Sequence, residues 1–440
     1  MIKLPREVSN IIKKLETEGF ETYTVGGCVR DSLIGMTPVD WDLATAARLE
    51  DLTRIFPEAK VISEKFSVIR FDYTEDIIDE EGKVTGIEGI IVDVATYRLD
   101  GQYTNHRRPD EVTFIDNIQE DLKRRDFTIN AMADNAERGF IDLYEGREDI
   151  KKKIIKTIGD PVERFQEDPI RMMRAIRFAA ELGFDLHKSV FDAILGNWRL
   201  LENVSVDRIR GELERILVAT YAGKGLNMMA SSGIMAAVVG EEVSKKMNSR
   251  EMMNFTTLCE NIDKTKQVRT RRLGLLYTCF DKKRGLQAID RLNYDSETYA
   301  LLYEAMTEMI NIQFLYEAKD FKRFLVEHGI EKYNYLHNLS KAQRIIYNQH
   351  VTKIESRNHM MNEIIKNREP VFIEDLAIDG NDILEAGIAH GEKVGELLLM
   401  LTDVVHKEPK LNTRKDLLEK AKKFSKSKLA ASARRVKWMK

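Results

Sequence analysis

The chain has 440 residues, 43% hydrophobic and 32% charged, with a formal net charge of −3. That length exceeds one ordinary core, so about two to four domains are expected, and the composition excludes a largely disordered chain. No apolar run approaches the ~20 residues a helix needs to cross a bilayer.

Residues 1–20, "MIKLPREVSNIIKKLETEGF", alternate charged and apolar residues at helical spacing. They predict an amphipathic helix ending at Gly19 and fit no secretory signal. "FETYTVGG" predicts a strand running into a glycine turn, and "CVRDSLIG" a short helix closed by Gly35. "VDWDLAT", "KFSVIRFDY" and "IEGIIVDVATYRL" read as strands, and the acidic "TEDIIDEEGKVTG" between the last two as a hairpin tip. After about residue 145 strand signals become scarce and the i, i+3, i+4 apolar spacing of helices takes over. The fold class expected is therefore α+β: a mixed sheet with helices first, an all-helical remainder after it. Cys28, Cys259 and Cys279 lie far apart without metal-ligand spacing, which suggests reduced thiols and a cytoplasmic protein. The last stretch, "KAKKFSKSKLAASARRVKWMK", carries basic residues and no acidic ones. It suits a polyanion, or equally a solvated terminus.

On a strand Asp40 and Asp42 point one way and Trp41 the other. Two carboxylates on one face repel unless a cation or a shared proton lies between them, and Mg²⁺ is the natural hard partner. A third acid on an adjacent strand would complete a site for two metals, and Asp93 in "IVDVATYR" is the best candidate. Solvated acids at a strand end are the plain alternative. Gly26 and Gly27 allow close backbone approach to an anion, and Arg30, one turn on, can add a fork for phosphate oxygens. The alternative there is an ordinary turn with Arg30 paired to Asp31.

"GGCVRDSLIG" followed by "VDWDLAT" resembles the signature of the class II tRNA nucleotidyltransferases, which add CCA to tRNA ends, and of the related bacterial poly(A) polymerases. The resemblance continues through "YRLDGQYTNHRRPDEVTF", "DLKRRDFTINAMA", "FIDLYEGREDI" with its neighbours, and "RFQEDPIRMMRAIRFAAELGF", covering roughly residues 20–190. "EDLAIDGNDILEAGI" and "VGELLLMLTDVV" are similar to the C-terminal region of the bacterial CCA-adding branch.

The resemblance implies a polymerase-β-like nucleotidyltransferase head over residues 1–145. It further implies a helical neck over 146–212, a helical body over 213–360 and an RNA-binding helical tail over 361–440. It implies that Asp40 and Asp42 hold catalytic Mg²⁺ with Asp93 as third carboxylate, and that Gly27, Arg30 and Arg125 contact the incoming nucleotide. Asp168, Arg171, Arg174 and Arg177 fall on the family's nucleotide-selecting helix and its following arginines.

Asp168 before Pro169 suits a helix start, and Arg171 three residues on would be its surface neighbour. A carboxylate accepts from an exocyclic amino group and a guanidinium donates to a ring nitrogen or carbonyl, so the pair suits CTP or ATP and mismatches UTP or GTP. A solvated i, i+3 salt bridge is the alternative, with Arg174 and Arg177 as ordinary surface charge.

The implied reaction is template-independent addition of C, C and A to the tRNA 3′ end from CTP and ATP, with pyrophosphate released. Self-association into a homo-oligomer is left open. A poly(A) polymerase is the nearest rival, yet "ISEKFSVI" places Ser63 and Glu64 where that branch is expected to carry glycine and a first basic residue. CC-only or A-only enzymes are further alternatives. Asn105 stands where the family's flexible loop is expected to carry an acid. A catalytically silent RNA-binding protein on the same scaffold would lack a metal carboxylate, and all three are present.

Overall fold

The computed structural model describes residues 2–38, 40–78, 84–101 and 112–426. Asn105 and its loop, the tip of the acidic hairpin and the last basic stretch beyond residue 426 lie outside the described residues. The chain forms two compact units, Met1–Lys246 with Arg291–Asn293, and Met247–Asp290 with Tyr294–Lys440.

The first unit opens with α1 (Arg6–Thr17), which buries Val8, Ile11, Ile12 and Leu15, the stripe its spacing predicts. There follow β1 (Thr22–Val25), α2 (Gly27–Leu33), β2 (Asp40–Thr45), α3 (Leu49–Ile55), β3 (Lys60–Ser63) and β4 (Val68–Asp72). A separate hairpin, β5 (Glu75–Ile78) with β6 (Val84–Glu88), precedes β7 (Ile91–Thr96) and the short β8 (Arg98–Asp100) and β9 (Val112–Phe114). Then come α4 (Ile118–Lys123), β10 (Met132–Asn135), β11 (Gly139–Asp142) and α5 (Gly146–Lys152). Seven strands make one sheet in the order β11-β10-β1-β2-β7-β4-β3. It is mixed: β2 and β7 run parallel and the other neighbours antiparallel.

Alternation along the strands sets what each face does. Trp41 and Leu43 of β2, Val92 and Val94 of β7, and Ile69 and Phe71 of β4 enter the core that α1, α2 and α3 cover. The residues between them, Asp40, Asp42, Asp93 and Arg70, therefore share the opposite face. Further along that face Ala44 joins Tyr23, Val25, Tyr97 and the α4 residues Ile118 and Leu122 in a second cluster.

Two strand expectations need correction. "IEGIIVDVATYRL" is not one strand: it is divided among β6, β7 and β8, with Gly89 at a φ of 126° marking the first break. β3 was not expected, because its residues are mostly exposed and show no alternation to read.

The helices that follow are α6 (Pro161–Glu167), α7 (Ile170–Leu182), α8 (Lys188–Asn197), α9 (Val206–Val218) and α10 (Ala222–Ser232). Helix α7 is buried along most of its length and packs against α9 and α10. The approach is close at Gly225, where a Cβ would lie 2.7 Å from Ile216 and 2.9 Å from Ala180.

The second unit is helical among its described residues. Its longest helix, Ala318–Ile346, is interrupted at Gly329, whose φ of 81° no helix interior adopts. Toward its end Leu397, Leu401 and Val405 of the helix Glu392–Lys407 form a small core with Ile383 and Leu417. Among the described residues no helix is long and apolar enough to cross a membrane.

Candidate active site

Gly26 ends β1 with a φ of 78°, a conformation that turns the chain sharply into α2. The turn brings α2 against the end of β2: a Cβ on Gly26 would stand 2.9 Å from Arg125 Nη1 and 3.5 Å from Asp42 Oδ2. Register then places Asp42 opposite Asp93 in the parallel pair of β2 with β7. Three acids thus sit on one face of two adjacent strands.

In front of Asp40 and Asp42 lies a cavity of about 660 Å³. Its lining contains nine arginines and five aspartates. Such a surplus of fixed cations suits a polyanionic ligand. Gly27, Arg30, Asp40, Asp42, Arg125, Asp168, Arg171, Arg174 and Arg177 all line this one cavity, although they are spread from α2 to α7. Asp93 does not line it. Its carboxylate is held instead by Arg70 of β4, with Nε and Nη2 donating at 2.7 and 2.8 Å.

The arginines are held by acids and by one ring. Arg30 is buried, donates from Nε to Asp31 Oδ1 at 2.8 Å and from Nη1 to Asn130 Oδ1 at 2.6 Å. Pairing with Asp31 and placement in the cavity are therefore both realised. Arg174 donates through Nε and Nη2 to Asp126 Oδ2 at 2.9 and 2.6 Å. Arg177, 2% exposed, faces Glu212 at 2.7 Å and Glu181 at 3.2 Å, so it is not surface charge. Arg30, Arg174 and Arg177 all lie over the ring of Phe178, within 5.5 Å of its centroid. Arg125 donates to Asp121 at 3.3 Å, while its buried Nε has no hydrogen-bond partner among the described residues.

Asp168 and Arg171 face the same cavity, and their side chains are held by different groups. Asp168 precedes α7 and takes a two-pronged bond from Arg208 of α9, at 3.0 and 2.7 Å. Arg171 donates to Glu167 and, at 3.0 Å, to the Arg164 carbonyl. Asp168 both ends α6 and leads into α7, with Oδ1 accepting from Ile170 N at 3.4 Å and its carbonyl from Arg171 N at 3.0 Å, while its side chain is taken up by Arg208 of α9.

Electrostatics follow the same layout. Loss of solvent at the foot of the cavity raises the Asp42 pKa; Arg125 and Arg70 oppose that rise, while Asp93 and Asp40 add to it. An added cation would relieve this repulsion. Burial also disfavours ionised Asp126, but Arg174, Arg171 and Asn130 outweigh it and hold the pKa down at about 2. The carboxylate oxygens of Asp40, Asp42 and Asp93 are the donor type a hard divalent cation takes. Among the described residues no three ligating side chains yet converge on one point.

Asp126, Asn130, Phe178 and Arg208 escaped the sequence reading. Asp126 and Asn130 stand inside the motif "RRDFTIN", but nothing in a spacing rule connects them to residue 174.

A family model described as "Poly A polymerase head domain" matches residues 22–156, and one described as "Probable RNA and SrmB- binding site of polymerase A" matches residues 183–246. The CCA-adding enzyme of Geobacillus kaustophilus (strain HTA426) is 41% identical over 231 residues, 52% of this chain and 54% of that protein. The chain spans about half the length of that relative and of the next two it matches. The CCA-adding enzyme of Geobacillus sp. (strain WCH70) is 32% identical over 405 residues, 90% of this chain and 92% of that protein. The chain belongs to the CCA-adding enzyme family. The solved Bacillus stearothermophilus CCA-adding enzyme in complex with CTP covers 96% of this chain and 98% of its own, at 27% identity and a TM-score of 0.75. The α+β fold, a mixed-sheet head followed by helices, is thus that of the CCA-adding enzyme family.

Proposed function

We propose that this chain adds C, C and A in turn to the 3′ end of tRNA, using CTP and ATP and releasing pyrophosphate. One observation carries the reading: a single cavity joins the Asp40–Asp42 pair to Arg30, Arg125, Arg171, Arg174 and Arg177. A carboxylate pair beside a dense arginine cluster suits a nucleoside triphosphate whose reacting phosphate lies toward the acids and whose charge lies toward the arginines.

In this reading Asp40 and Asp42 hold Mg²⁺, with Asp93 as third carboxylate. When bound, the cation neutralises charge on the reacting and departing oxygens. The chain's own residues do the rest. Gly26 and Gly27 let the backbone approach the triphosphate, and Arg30 and Arg125 orient it. Asp168 accepts from the amino group that CTP and ATP share, and Arg171 donates to the ring acceptor beside it. UTP and GTP present a carbonyl and an N–H there, and a buried mismatch of this kind costs a few kcal/mol, roughly a hundredfold. The tRNA 3′ oxygen then forms its bond to the α-phosphorus as the bond to the pyrophosphate oxygen breaks. Arg174 and Arg177, pinned by Asp126, Glu212 and Phe178, keep the cavity's shape so that catalysis is mainly positioning.

The same reading divides the chain into head (1–145), neck (146–212), body (213–360) and RNA-binding tail (361–440), working in the cytoplasm. The small core around Leu401 gives the tail apolar contacts of its own, and Arg323 of the body pairs with its Asp403.

The test offers the protein three tRNAs, ending before CCA, after the first C and after CC, with labelled CTP and ATP supplied separately. C, C and A additions on the matching tRNAs, stopping after A, are expected. An A-tail of indefinite length, or no addition to any of the three, would overturn the proposal.

A further inference from the structure

We propose that Arg70 is a positioning residue for the metal carboxylates: its guanidinium stands in for the divalent cation on Asp93 until that cation loads. The inference rests on reading Asp93 as the third carboxylate.

Arg70 is the middle residue of β4 and lies opposite Asp93 in register, as Asp93 lies opposite Asp42. The neighbours Ile69, Phe71, Val92 and Val94 are in the core, so Arg70 and Asp93 meet on the face that carries Asp42. Their contact is fork to fork, Nε to Oδ1 at 2.7 Å and Nη2 to Oδ2 at 2.8 Å. Both Asp93 oxygens are thereby directed at a cation that belongs to the protein. This hold accounts for Asp93 standing outside the cavity that Asp40 and Asp42 line.

Without Arg70, Asp93 would face Asp42 as a bare like charge across 2 adjacent strands. A guanidinium keeps its charge at any working pH, so Arg70 cannot yield by losing a proton and must swing aside. It can do so: its side chain is 38% exposed and that of Asp93 27%. Solvent screening keeps the cost of parting small. Arg70 therefore competes with the divalent cation and weakens its binding.

The experiment measures Mn²⁺ binding to the full chain from the spectrum of unbound aqueous Mn²⁺, without substrates. Arg70→Gln should tighten Mn²⁺ binding by about two- to fivefold, the size of a half-exposed ion pair. Asp93→Asn should weaken it, and Arg70→Gln should have a much smaller effect in the Asp93→Asn background, where only its field on Asp42 is left to lose. Arg70→Lys, which keeps the charge and loses the fork, should fall between wild type and Arg70→Gln and serves if that variant does not fold. Unchanged or weaker Mn²⁺ binding in Arg70→Gln or Arg70→Lys, with Asp93→Asn still weakening it, overturns the role of Arg70 alone. Unchanged binding in Asp93→Asn overturns the reading of Asp93 and this inference with it.

Discussion

Arg30 and Arg174, from helices far apart in sequence, share one aromatic platform: their guanidinium carbons lie 5.1 and 5.5 Å from the centroid of the Phe178 ring. A chain of bonds joins them as well. Arg30 donates to Asn130, Asn130 donates to Asp126 at 3.3 Å, and Asp126 accepts from Arg174. Two like charges are thus fixed at a set spacing with their outer faces toward the cavity. Phe178→Leu keeps most of the volume and removes the ring. We expect stability to fall by no more than about 1.5 kcal/mol. The KM for CTP and ATP should rise by about three- to thirtyfold, the value of one to two cation–π contacts. Steady-state kinetics beside thermal unfolding checks the split.

A side chain at the Gly26 turn would strain the backbone and displace Arg125. Gly26→Ala combines a φ of 78° with a Cβ 2.9 Å from Arg125 Nη1. Stability should drop by about 1 kcal/mol or more from the backbone alone. Nucleotide incorporation should fall further than that loss explains, because Arg125 must move off its place. Comparing activity at a temperature where the variant is fully folded separates the two effects.

Nucleotide choice is assigned to Asp168 and Arg171. Arg171→Ala should reduce discrimination against UTP and GTP by about tenfold or more, while triphosphate binding weakens less. Competition between labelled CTP and UTP on a tRNA ending before CCA measures the ratio. Unchanged discrimination would remove Arg171 from base reading.

Much of this site was legible because strand alternation and a glycine turn are local signals. Asp40, Asp42 and the Gly26 turn could be read within one short stretch, and the structure sets them at one cavity. What could not be read were partners chosen by the fold. The bond of Arg208 to Asp168 spans 40 residues, and that of Arg174 to Asp126 spans 48. Neither has a periodicity to betray it. The Arg70–Asp93 pair depends on the antiparallel register of β4 with β7, which the single-strand reading of "IEGIIVDVATYRL" gave no means to fix. β3 escaped for a different reason, its exposed edge position leaving no apolar pattern.

Acid stability offers a check on the network. The Asp126 pKa is depressed to about 2 in the folded chain, against 3.8 for the free side chain. A depressed carboxylate stabilises the fold above its unfolded pKa and loses that contribution as pH falls through the folded value. The wild type should therefore exceed Asp126→Asn in stability by about 2 kcal/mol at neutral pH, with the gap closing between about pH 4 and pH 2. Denaturant unfolding of both proteins across that range reads the difference directly.

The most direct test of the central claim is the rate of labelled CMP incorporation into a tRNA ending before CCA, for wild type and Asp42→Ala at saturating CTP and Mg²⁺. Binding of the same tRNA is measured in parallel. Incorporation should fall by about a thousandfold or more with tRNA affinity unchanged. Incorporation by Asp42→Ala within about tenfold of wild type would contradict the account, since the acids at the foot of the cavity would then not be where the chemistry is done.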